Sequence, residues 1–296
     1  MTIKTELIAL ALAAGLTVAA HGQTVVFSDN FATSQGATYT TSGAIGTSSW
    51  NVSRSGDDWG ARIDGGIMTL TNTASAAANA NGWVFANRSL VSTGNFNTTL
   101  SNSAGLVTWS FNMQQIRGNP AGFGTTSYGV AYVLGSTSAT VGTAGNGYAV
   151  VLGNTGTPDP IRLVAFTGGI QTLGTATGGL ITASAPLDDP TTAHMSILVT
   201  YDPSNNVWSM FGRNDGASFS DPLSATLSEL GTATDSTYTE VALGFTGAYW
   251  QGSTAGSQTA RFDNVTLTAI PEPSTYAALF GLAVLGLAIY RRRLRK

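Results

Sequence analysis

LVTWSFNMQQI, residues Leu106–Ile116, alternates along most of its length. Val107, Trp109, Phe111 and Met113 fall on one side of an extended chain, and Thr108, Ser110 and Asn112 on the other, because successive strand side chains point to opposite faces. The stretch therefore reads as a half-buried strand. Met195, Ile197, Val199 and Tyr201 repeat the pattern. Asp202-Pro203-Ser204-Asn205-Asn206 then supplies turn residues, and Val207–Arg213 returns, which makes a hairpin.

Period-two runs recur outward from these two landmarks. Val25-Val26-Phe27 opens the body and runs into a turn at Ser28–Phe31; Trp50–Val52 and Ile67–Leu70 are further short strands. Asp57–Gly60 reads as a loop, and Ala74–Ala80 is the one run with the composition of either a short helix or a loop. Tyr128–Leu134, Tyr148–Leu152 and Ile161–Phe166 follow, the last pairing with its predecessor across Asn154–Pro160. Gly168–Pro190 is mostly turn residues around one weak strand, Val241, Leu243 and Phe245 form another inward row, and Ala260–Leu267 closes the body. Many short strands separated by turn residues predict an all-β fold, an antiparallel β-sandwich or jelly roll. No repeat of the length found in propellers or β-helices is visible.

The body, residues 23–269, has no cysteine, so neither a disulfide nor a cysteine-ligated metal is available. It carries seven arginines, no lysine, twelve aspartates and two glutamates, a net charge of −7. A nucleic-acid partner is excluded, because that contact needs a basic footprint. Catalysis is not expected either. His194 is the body's one histidine, in phase with Ser196 rather than with the apolar row, and no Gly-x-Ser-x-Gly elbow is present. Glu229 and Glu240 are isolated, and Asp188-Asp189 sits beside Pro190 in a loop, so no carboxylate pair for glycoside hydrolysis stands out. Sugar binding is open. Flat aromatics beside Asn and Asp suit a pyranose face, and Trp59, with two aspartates before it, and Tyr249-Trp250 in a glycine-rich turn have that chemistry. The plainer reading is that Trp59 and Trp250 cover the ends of the sandwich, with Trp109 and Trp208 in the core or on a sheet face.

Both ends of the chain concern export. Lys4 precedes an apolar run, Leu7–Val18, and Ala20-His21-Gly22 precedes Gln23, so residues 1–22 read as a secretory signal peptide cleaved after Gly22. At the other end, residues 270–296 read IPEPSTYAALFGLAVLGLAIYRRRLRK. Pro271-Glu272-Pro273 is a stiff, extended turn. From Tyr276 to Tyr290 the residues are apolar and uncharged between the two tyrosines, and a helix from Ser274 through Arg291, with its membrane span at 274–290, is about 27 Å long, close to the roughly 30 Å hydrocarbon core. Arg291, Arg292, Arg293, Arg295 and Lys296 form a basic stop that stays cytoplasmic, leaving the body outside. One transmembrane helix is expected, against the alternative of a buried core helix with a solvated basic end.

Pro-Glu-Pro, a short apolar span and an arginine cluster, in that order, resemble the PEP-CTERM sorting signal of Gram-negative bacteria. That resemblance implies a membrane-embedded exosortase that cleaves the tail during export to the cell surface or extracellular matrix. The body, in Phe27–Phe31, the Met195–Arg213 hairpin and Phe262-Asp263-Asn264-Val265, resembles the concanavalin-like lectin and laminin-G jelly rolls. This implies first and last strands side by side, and, as often in such jelly rolls, a structural calcium ion tying the termini. Asp29, Asp263 and Asn264 supply oxygens for it; the alternative is that the aspartates bond backbone N–H groups at strand ends. Two functions are open: a non-catalytic structural or adhesive surface protein, or a lectin-like module that binds exopolysaccharide. The expected partners are the membrane, exosortase and the secretion machinery, with exopolysaccharide added in the second case.

Overall fold

A computed structural model describes residues 23–75, 81–91, 93, 96–252 and 258–270, together with Val284, Leu287, Tyr290 and Arg291. The expected signal peptide, Pro271–Pro273, residues 76–80 of the Ala74–Ala80 run, and most of the 274–296 segment lie outside the described residues. Among the described residues no helix is long and apolar enough to cross a membrane.

The body is an all-β antiparallel sandwich, as the alternation requires. Its strands are β1 (Thr24–Asp29), β2 (Gly43–Ala44), β3 (Asn51–Ser55), β4 (Gly60–Asp64), β5 (Ile67–Thr71), β6 (Gly82–Ser89), β7 (Val107–Gln115) and β8 (Gly129–Ser136). They continue with β9 (Gly147–Leu152), β10 (Arg162–Phe166), β11 (Ile181–Thr182), β12 (His194–Asp202), β13 (Val207–Gly216), β14 (Ser228–Thr234), β15 (Phe245–Gly252) and β16 (Thr259–Ala269). One sheet runs β14-β13-β12-β7-β16-β5-β4, with β1 also on β16; the other runs β11-β10-β9-β8-β15-β6-β3-β2.

The core lies between the sheets. Val107, Trp109, Phe111 and Met113 of β7 face it with Met195, Ile197, Val199 and Tyr201 of β12, as their spacing predicts. From the opposite sheet come Tyr132, Tyr148, Val150 and Trp250. Phe111 stacks on Tyr132 with centroids 4.2 Å apart, and Trp109 on Trp208 at 5.9 Å, offset arrangements that ring quadrupoles favour.

β16 is the strand on which the first sheet closes. β7 flanks it on one side. On the other side β5 pairs with its first half and β1 with its second, from Asp29↔Val265 to Thr24↔Ala269. Its inward residues are Ala260 and Phe262, then Val265, Leu267 and Ala269, so the alternation slips by one. A bulge between Asp263 and Thr266 takes up the extra residue, with Asn264 at φ 48°, a left-handed conformation that asparagine tolerates better than most side chains.

Two expectations need correction. Gly60 opens strand β4 rather than ending a loop, and the turn expected at Tyr249–Gln251 is the middle of β15. Val241 and Leu243 precede that strand, where Leu243 N–H donates to Thr98 O.

Candidate functional site

The aromatic residues proposed for sugar contact are interior. Trp59 and Tyr249 are 0% exposed and Trp250 1%. Trp59 packs on Trp250 with centroids 4.9 Å apart inside the main core. Tyr249, one residue along β15, points the other way, stacks on Trp83 at 6.1 Å and donates its hydroxyl to Gln251 Oε1 at 2.6 Å. None of the three presents a face to a ligand. The remaining tryptophans, Trp50, Trp83, Trp109 and Trp208, are also at most 3% exposed.

Tyr249 is covered because the outer face of its sheet carries a second apolar core. Trp83 and Phe85 of β6, Ala131 and Val133 of β8, Ala149 and Val151 of β9, and Val164 and Phe166 of β10 all point outward there. Phe123, Val141 and Ile170, from the connections 116–128, 137–146 and 167–180, close over them. This sheet face is therefore occupied by the chain's own loops. The sequence signal was present in β6, GWVFANRS, which is apolar on both faces, as a strand buried on both sides should be.

The outer face of the other sheet carries a polar network. Asp215 Oδ1 pairs with Arg213 Nε at 2.6 Å. Its Oδ2 accepts from Ser196 Oγ at 2.6 Å and from Ser220 N–H at 3.2 Å, and Asn112 Nδ2 donates to Ser196 Oγ at 3.0 Å. The side chain of Asp215 is fully covered. His194 stands apart from Ser196: its Nδ1 engages Gly216 O at 3.0 Å and its ring meets the edge of Phe219. This histidine does not meet the serine as a base. Beside the network, Leu198, Phe211, Pro222, Leu223, Ala225 and Leu227 line an open apolar groove of about 330 Å³.

Asp29, Asp263 and Asn264 do come together, but around N–H donors. Asp29 Oδ1 accepts Phe31 N–H and its Oδ2 accepts Trp50 Nε1–H, both at 2.8 Å. Asp263 Oδ1 accepts Asn264 N–H at 2.7 Å, while Asn264 Nδ2 donates to Asn112 Oδ1. Burial, with Asp29 adding to it against the Asn264 N–H bond, pushes the Asp263 carboxyl up to about 6. Among the described residues no three of His, Cys, Asp and Glu gather as a metal group. Calcium needs six to eight oxygens; here both Asp29 oxygens and Asp263 Oδ1 accept N–H donors, the arrangement of the alternative reading. A second carboxyl, Asp159, which is more deeply buried, is also pushed up to about 6 by burial and by Asp189, against an Asn154 backbone bond and the Arg162 charge.

The end of β16 is where the sorting residues attach. Ala269 lies between Thr24 and Val107, and the Ile270 side chain packs on Gly105. Pro271 follows at once.

This architecture is a lectin-like β-sandwich. The Emp46p carbohydrate recognition domain, in a single-substitution form, superposes with a TM-score of 0.50 at 11% identity, covering 83% of this chain and 97% of that one. The Emp47p carbohydrate recognition domain gives 0.49 at 11% identity over 84% and 98%. A Lotus tetragonolobus seed lectin gives 0.46 at 9% over 75% and 94%. At such identities the likeness is one of fold. No curated protein matches the sequence. The tail does match a family: residues 269–293 carry the PEP-CTERM protein-sorting motif, which takes in Pro271, Glu272, Pro273 and Arg291–Arg293 and begins on the last residue of β16.

Proposed function

We propose that this is an exported protein whose tail is cleaved by an exosortase, releasing a non-catalytic sandwich to the cell surface or extracellular matrix as a structural or adhesive module. The observation that carries the reading is the junction at Ala269, where a completed sandwich meets the first residue of the sorting motif. The body adds support. The outer face of one sheet is sealed by its own loops, and the tryptophans are buried, so neither offers the open aromatic platform that sugar recognition uses. Ser196 and Asp215 are held in a covered network rather than a cleft, which fits a module without catalysis.

Intact-mass analysis of the protein recovered from native cells tests the sorting. The expected mass lacks the residues after Pro273; a mature protein that keeps Arg291–Lys296 overturns exosortase processing. A glycan array on residues 23–269 tests the body. No binding is expected, and saturable binding to a surface polysaccharide would establish the lectin-like alternative instead.

A further inference from the structure

The sandwich has two ends, and the tail leaves from one that can be defined by strand register. β1 begins there, β7 begins there with Val107 beside Ala269, and β12 turns into β13 there at Asp202↔Val207. The opposite sheet is tied to the same end. Trp109 Nε1 donates to Leu134 O, and Ser136 and Ser89 both pair with Phe245.

Four exposed apolar side chains lie at this end, spread over it. Val25 is 56% exposed beside Thr268, and Leu106 42% exposed beside Val107. Val91, 74% exposed, approaches Gly244, and Val241, 37% exposed, lies in the same connection. Ser101 N–H to Thr239 O joins that connection to the segment leading to Leu106. Among the described residues, the other large exposed apolar side chains of the body lie elsewhere. Ile116 is at the far end of β7, and Leu223 is in the groove on the sheet face.

Four scattered aliphatic groups would not hold a protein to lipid, since single exposed apolar residues are ordinary. What changes their meaning is the tether. From Ala269 to the start of the uncharged apolar run at Tyr276 is seven residues, at most about 25 Å of extended chain. A tether this short raises the effective concentration of that end at the membrane, so a contact too weak to form alone can form.

We propose that the Val25–Val91–Leu106–Val241 end is a membrane-contact surface, and that the sandwich stands on it in the lipid headgroup region while the tail is inserted. The proposal rests on the sorting reading above and goes beyond it. The contact lasts only as long as the tether, so tail cleavage removes both hold points and frees the body. Its partner is lipid, and the contact is made by these four aliphatic side chains, with Asp202 and Glu240 at the same end.

Because the chain has no cysteine, single reporters can be placed at will. Leu106→Cys and Val241→Cys mark the proposed surface, and Ile116→Cys and Leu223→Cys mark positions away from it. Each is made in the full chain, labelled with an environment-sensitive fluorophore, and reconstituted in phosphatidylcholine–phosphatidylglycerol vesicles whose headgroups carry a nitroxide quencher. Quenching at the first pair should exceed that at the second several-fold. The difference should vanish in chains ended at Ile270, which should also lose tail-dependent flotation with the vesicles. Equal quenching at all four positions in a chain that floats overturns this proposal alone. A full chain that floats no better than the one ended at Ile270 overturns the tail reading, and the proposal with it.

Discussion

At the scale of single residues, the molecule keeps several carboxylates under cover, and they differ in what their charge does. Asp263 and Asp159 have carboxyl groups raised to about 6 mainly by burial, whereas an aspartate in the unfolded chain titrates near 4. Between about pH 4 and about pH 6 the folded protein therefore binds more protons than the unfolded one. Stability from these groups is present below about pH 4 and is lost as the pH rises through about 6. The thermal midpoint should fall across that interval, and Asp263→Asn and Asp159→Asn should each flatten the fall. A midpoint that climbs from pH 4 to 6, unchanged by either substitution, would contradict this account. Asp215 is held differently, by Arg213, Ser196 and the Ser220 N–H. Asp215→Ala strands a partly covered guanidinium and a buried hydroxyl. The expected loss in urea denaturation is about 3 kcal/mol, at the low end for breaking a buried pair because Arg213 keeps access to water.

At the scale of elements, β15 shows how a backbone position decides a strand. It bulges against β8 between Phe245 and Gly247, and Gly247 sits at φ 153°, where a Cβ would come within 2.1 Å of Ala86 O. Gly247→Ala forces backbone apart in the centre of the second sheet. A destabilisation above about 1 kcal/mol is expected, more than the usual exchange of glycine for alanine involves, and an unchanged midpoint would remove the bulge from the explanation. The same strand marks the limit of sequence reading. β7 and β12 were legible because one face of each is apolar and the other polar. β6 shows no such alternation, and its signal is instead the unbroken apolar run of a strand buried on both faces; β14, SELGTAT, shows neither, its burial being mostly that of an exposed edge. Tyr249 looked like a surface aromatic because the cover over it comes from Phe123, Val141 and Ile170, residues distant in the chain that no local pattern connects to it. The sorting residues were legible because that signal is linear: order, spacing and charge are its whole content.

At the scale of the whole molecule, the strand nearest the sorting motif is also the strand on which the first sheet depends. β16 pairs with β7, β5 and β1, and Phe262, Val265 and Leu267 enter the core from it. Fully burying one such side chain contributes roughly 1.5–3 kcal/mol, while a domain as a whole is stable by only about 5–15 kcal/mol. Losing three of them, and leaving β7, β5 and β1 with unpaired edges, should exceed what the fold can bear. An exported chain thus completes its fold only once residues up to Ala269 have crossed the membrane, so the body becomes whole as the sorting motif arrives. Two truncations separate this from a merely peripheral last strand. A chain ended at Ala269 should show a strand-type far-UV circular dichroism spectrum and one cooperative thermal transition. A chain ended at Arg261 should show no such transition and should be digested by trypsin at arginines that β-structure otherwise protects, Arg162 first, since it is fully buried. If the shorter chain still melts cooperatively, β16 is a late addition to an already stable sandwich, and arrival of the sorting motif at the membrane and completion of the fold are separate events.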